Sequence, residues 1–65
     1  MRVLINQKPY DLPEGTTLAE AIAQVGASGP FAVAINLEFV PRAQYEQTRL
    51  QEGDQVEIVA PVAGG

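Results

Sequence analysis

The residues with the clearest chemical potential are the last two, Gly64-Gly65, which end the stretch Ala60-Pro61-Val62-Ala63-Gly64-Gly65. Glycine has no Cβ, so two in succession make a thin, flexible segment able to enter a narrow cleft on a partner. The carboxylate expected at Gly65 is ionised at neutral pH, because an α-carboxyl group titrates near about 3.3–3.7. It is therefore a poor electrophile but a competent nucleophile toward the α-phosphate of a nucleotide held by another protein. The mixed anhydride so formed is open to attack by a sulfur or a nitrogen nucleophile. A Gly-Gly ending is also compatible with a plain frayed terminus. What favours the chemical reading is how little other chemistry the chain contains.

The 65 residues include no histidine and no cysteine. That removes the commonest general base near neutral pH, the commonest zinc ligands, and all disulfide or thiolate chemistry. The eight carboxylates, Asp11, Glu14, Glu20, Glu38, Glu46, Glu52, Asp54 and Glu57, are spread along the chain. None pairs in a way that suggests acid–base catalysis or a calcium loop, and all read as solvated surface. The glycines form no phosphate-cradling motif. Four basic residues, Arg2, Lys8, Arg42 and Arg49, are too few and too scattered for a nucleic-acid binder. The formal net charge of −4 instead suits a basic protein surface or simple solubility. No apolar run approaches the roughly 20 residues needed to cross a bilayer, and the N-terminus does not continue as a signal peptide. A monomeric cytoplasmic protein with no bound cofactor or metal is expected.

Something must hold the tail. A chain of this size buries only about 60% of its unfolded surface, so the core is a single thin layer. Arg2 to Asn6 reads as a strand with Val3 and Ile5 on one face and Leu4 on the other. Asn6-Gln7-Lys8-Pro9 reads as a turn longer than the tight two-residue kind, leading to a brief second strand at Tyr10-Asp11-Leu12. After Pro13-Glu14-Gly15, Thr17 and Glu20 make a capping box ahead of a helix whose apolar stripe is Leu18, Ala21, Ile22 and Val25. Gly26 ends it. Residues 27–30 form a loop, Phe31 to Asn36 a third strand, Leu37-Glu38 a turn, and Phe39-Val40 a fourth strand stopped by Pro41. A helical turn is expected around Ala43–Tyr45, with Tyr45 over the sheet edge, and a turn at 51–54 in which Gly53 takes positive φ. Val56 to Val59 is the last strand. No internal repeat stands out.

One amphipathic helix covers one face of a sheet, which makes the architecture two-layer α+β. With Val3, Ile5, Val33, Ile35, Val56 and Ile58 toward the helix, Leu4 and Val59 face solvent. If the first and last strands pair, these two seed an apolar docking patch beside the root of the tail. Residues 1–60 form the domain and 61–65 the flexible tail.

The sequence also carries a family resemblance. Its parts are Val3-Leu4-Ile5-Asn6, Leu12-Pro13-Glu14-Gly15-Thr16-Thr17-Leu18, Ala34-Ile35-Asn36 with Val40-Pro41-Arg42 and Tyr45, Leu50 through Val59, and Gly64-Gly65. Taken together and in this order, they resemble the sulfur carriers of thiamine biosynthesis, the ThiS family of ubiquitin-like β-grasp proteins. The resemblance implies a mixed sheet of four to five strands on one main helix, with the first and last strands parallel neighbours. It implies that an E1-like enzyme, using ATP and magnesium, adenylates the Gly65 carboxylate. A cysteine desulfurase or sulfurtransferase then supplies the sulfur of a thiocarboxylate, which thiazole synthase consumes. Val62, Ala63 and Gly64 would run through the partner's cleft, and Leu4 and Val59 would belong to the docking surface. The ending is also similar to the small subunit of molybdopterin synthase, which uses the same thiocarboxylate chemistry. A ubiquitin-like protein modifier and a non-covalent interaction module complete the alternatives.

Overall fold

The computed structural model describes residues 1–27 and 30–59. They form β1 (Arg2–Ile5), β2 (Lys8–Asp11), α1 (Leu18–Val25), β3 (Ala32–Ile35), β4 (Glu38–Val40), a 3-10 turn at Arg42–Gln44, and β5 (Gln55–Val59). The five strands make one sheet in the order β2-β1-β5-β3-β4. The last strand in sequence is thus the middle strand in space, parallel to β1 and antiparallel to β3. This is the expected mixed sheet on one helix. The expected boundary between residues 60 and 61 lies outside the described residues.

The helix begins where the sequence says it should. Thr17 accepts the Glu20 amide on its hydroxyl, and the Glu20 carboxylate accepts the Thr17 amide in return. The other free amides of the first turn are met from a distance: Leu18 N–H donates to Thr48 O at 2.7 Å and Ala19 N–H to Tyr45 O at 3.0 Å. Every donor that a helix start leaves open therefore has a partner. At the far end Gly26 turns left-handed (φ 78), with its amide on Ala23 O and the Ala27 amide on Ile22 O. Thr17→Ala is expected to cost about 1 kcal/mol of stability, read as a lower urea midpoint at unchanged m-value.

The first hairpin is tighter than the sequence suggested, and the second turns one residue earlier. β1 and β2 are joined by two residues, Asn6 and Gln7, and β3 and β4 by Asn36 and Leu37, all four with positive φ. The longer turn expected at 6–9 and the turn expected at 37–38 are corrected accordingly. Two left-handed residues in succession give the turn whose twist matches that of the flanking strands, and asparagine is the side chain that best tolerates its first position. Lys8 and Glu38 thereby join their strands. Pro9 is accepted in β2 because β2 is an edge strand. The two hairpins also share a short sequence echo, Val3-Leu4-Ile5-Asn6 and Val33-Ala34-Ile35-Asn36.

Val3, Ile5, Val33 and Val56 from the sheet meet Leu18, Ala21 and Ile22 from the helix. Ile35, Ile58 and Val25, expected in the core, pack on its margin instead. Leu12, Leu50 and Tyr45 close the ends of the layer. Tyr45 is buried, not merely laid over an edge, and its ring stacks on Phe31 with centroids 6.1 Å apart. The helical turn expected near 43–45 is the 3-10 turn that delivers it.

Candidate functional site

Gly65, Gly64, Ala63 and Val62 lie outside the described residues. What the structure describes is the ground from which they depart, β5 and its neighbours. β5 is bound along both edges, and at each end an asparagine side chain reinforces it. At the start, the Asn36 backbone N–H donates to Gln55 O at 2.7 Å, and its side-chain Oδ1 accepts the Gln55 backbone amide at 3.0 Å. At the finish, the Asn6 backbone N–H donates to Val56 O at 2.8 Å, and its side-chain Oδ1 accepts the Ile58 backbone amide, also at 2.8 Å. These two contacts explain why each hairpin turns on asparagine.

Paired residues in adjacent strands share a face, so Leu4, Gln55, Glu57, Val59, Ala32, Ala34 and Phe39 all point away from the helix. Leu4 and Val59 do share this outer face, yet they are not neighbours. Leu4 stands beside Gln55, and Val59 lies four residues further along β5, about 13 Å away at strand spacing. Leu4 is also half-buried, whereas Val59 is 62% exposed. Val59 pairs with Ala32, and Phe39 pairs with Ala34 one step along β3. Among the described residues the exposed apolar surface on this face is therefore Val59, Ala32 and Phe39, with half-buried Ala34 between them and Leu37 at the hairpin tip. Sequence reading missed Phe39 and Leu37 because it set the β3–β4 turn one residue late.

The carboxylates are less idle than scattered surface charge. Glu52 accepts the Arg2 backbone amide, and Asp54 accepts from Gln51 N and Asn36 Nδ2, tying the 51–54 turn to both hairpins. Gly53 takes φ 85 in that turn, as its position in the sequence implied. Arg2 and Asp11 face each other across β1 and β2, with Nε to Oδ1 at 3.1 Å. The Arg2 hydrogen bond, helped by its charge, holds the Asp11 carboxyl below its ordinary range. A lowered folded-state pKa means the pair's contribution is present above the ordinary aspartate pKa and is lost as pH falls through the lowered one. Being fully exposed, the pair adds little to stability. Arg2→Gln is expected to return the Asp11 titration toward the ordinary aspartate value, followed by carboxyl chemical shift in NMR. Among the described residues no cluster of acidic side chains could hold a metal ion, and no helix is long and apolar enough to cross a membrane.

A five-stranded mixed sheet that clasps one helix, with its last strand central and running out into the terminal segment, defines a β-grasp domain of the ubiquitin-like class. The ThiS family model matches residues 3–65, and the chain belongs to that family. It is 35% identical, end to end in both chains, to the sulfur carrier protein ThiS of Escherichia coli. It is also 35% identical over its full length to a thiazole synthase of Paramagnetospirillum magneticum, and spans only 20% of that protein. Among solved structures, a thiamine biosynthesis protein (ThiS) from Geobacter metallireducens superposes with a TM-score of 0.84 at 25% identity, both chains covered in full.

Proposed function

We propose that this protein is a sulfur carrier of thiamine biosynthesis whose reactive group is the Gly65 carboxylate. The observation that carries the reading is the end-to-end likeness to the E. coli sulfur carrier. The likeness to proteins named thiazole synthase supports thiazole synthase as the recipient. A carboxylate oxygen attacks the α-phosphate of ATP on an E1-like, magnesium-dependent enzyme and expels pyrophosphate. The terminal sulfur of a persulfide on a cysteine desulfurase or sulfurtransferase then attacks the acyl carbon and displaces AMP. A thiol reductant cleaves the resulting acyl disulfide, leaving the outer sulfur on the carrier and the donor cysteine as a thiol. The product is a thiocarboxylate with the carbon's oxidation state unchanged. The carrier supplies no catalytic side chain. It offers Val62, Ala63 and Gly64 to the enzyme's cleft and docks through the outer face that bears Leu4 and Val59. The whole cycle runs in the cytoplasm.

The test is intact-protein mass spectrometry after incubation with the cognate activating enzyme, ATP, magnesium and a sulfur donor. The expected result is exchange of one terminal oxygen for sulfur. A mass that stays constant while the enzyme hydrolyses ATP with a control carrier would sink the proposal, and a ladder of lysine conjugates would point to a modifier instead. A strain lacking the protein should require thiazole, not molybdenum cofactor, for growth.

A further inference from the structure

We propose that Asn6 is a positioning residue for the tail, its carboxamide fixing the end of β5 and hence the point from which the residues after Val59 set out. The proposal rests on the tail being the reactive segment. β1 stops at Ile5, whereas β5 continues to Val59. In an unbroken parallel ladder the Ile58 amide would bond to the carbonyl of residue 6, and the Ile58 carbonyl would accept from the amide of residue 8. The left-handed turn at Asn6 and Gln7 (φ 51 and 69) carries both groups away. The Asn6 side chain restores them. Its Oδ1 accepts the Ile58 amide at 2.8 Å, and its Nδ2 donates to Ile58 O at 3.3 Å. A primary amide matches a peptide unit in both donor and acceptor, so the side chain extends β1 by one ladder step that the main chain does not make.

Position 6 thus has two requirements. The turn needs a residue that tolerates positive φ, and the strand needs a side chain that both donates and accepts. Glycine meets the first alone. Aspartate meets the first and offers the acceptor, but sets a second carboxylate oxygen against the Ile58 carbonyl. Only asparagine is both short enough for the turn and complete for the ladder. Asn36 is a natural control. It occupies the same position of the other turn (φ 51) and makes two side-chain bonds of its own, to Gln55 N and Asp54 Oδ1. Those bonds hold the beginning of β5, away from the tail.

The experiment compares Asn6→Gly, Asn6→Asp and Asn36→Gly in two measurements. In native-state hydrogen exchange by NMR, Asn6→Gly should speed exchange of the Ile58 amide on the order of tenfold beyond any change in global stability. Asn36→Gly should leave Ile58 protection tracking global stability. In steady-state assays of the activating enzyme with the carrier as varied substrate, both Asn6 variants should lose on the order of tenfold in kcat/KM, through a raised KM, because a loosened root must be ordered on binding. Asn36→Gly should stay near the parent. Equal losses in Asn6→Gly and Asn36→Gly, no loss in either, or unaltered Ile58 exchange in Asn6→Gly would each overturn the proposal. A parent chain that is never activated overturns the carrier reading and this proposal with it. A parent that is activated no better than Asn6→Gly overturns this proposal alone.

Discussion

A chain lacking Gly65 is expected to melt with the intact protein and to accept sulfur on the order of a hundredfold more slowly, or slower still. The two halves of that result come from different parts of the molecule. The buried residues that form the core, from Val3 to Val56, all belong to the domain. Removing one terminal glycine deletes none of them, so thermal and urea midpoints should be unchanged. Transfer, in contrast, depends on where the acyl carbon sits in the activating enzyme. Shortening the chain by one residue pulls that carbon back by about 3.3–3.6 Å, and a misplacement of even about 1 Å can cost on the order of a hundredfold. Loss of thiocarboxylate formation should therefore be at least a hundredfold, measured as the rate of the oxygen-to-sulfur mass change. An active truncated chain would mean that the tail is not the reactive group. A truncated chain that melts early would mean that the tail is part of the fold.

The second large effect is on stability. Leu18 is fully buried and belongs to the same core cluster as Val3, Val33 and Val56. Leu18→Ala leaves a cavity that a single thin layer has few side chains to fill, at a cost of about 2–5 kcal/mol. A domain of 65 residues holds roughly 3–10 kcal/mol in total, at about 0.05–0.15 kcal/mol per residue. The variant should lose half or more of its stability and show a much lower urea midpoint. Leu37→Ala is the matching control. Leu37 is 87% exposed at a hairpin tip, so its truncation should change stability by no more than about 0.5 kcal/mol. Similar losses in both variants would mean that the core is not where the structure puts it.

The helix was readable to the residue because its signals are local. Thr17, Glu20 and Gly26 act within a few positions of themselves, and their bonds are the ones observed. The central pairing of β1 with β5 came from family likeness, since partners some 50 residues apart leave no mark on local periodicity. The turns were misread for a related reason. Pro9 suggested that the chain was still turning, whereas an edge strand has no use for the missing amide. Asn6 looked like an ordinary turn former and Asn36 like the end of a strand, and the bonds that each makes to β5 depend on where β5 lies. Leu12, Leu50 and Tyr45 were absent from the expected core because they sit in loops, where no alternation points inward. Of the candidate site, the placement of Leu4 and Val59 on the face away from the helix was legible from parity alone. Their separation along β5 was not, because parity assigns a face and says nothing of register.

β5 lies between two hairpins that have no strand-to-strand contact with each other. Without it the sheet would fall into two isolated ribbons, and an isolated two-stranded hairpin is marginal at best in water. Because β5 is also the last strand in sequence, a polypeptide still being made, or one cut short before residue 55, lacks the piece that unites its halves. The same few residues that complete the sheet lead directly into Gly64-Gly65. On the carrier role proposed above, the strand that completes the sheet and the segment offered for activation are made last and together, so activation would follow completed folding.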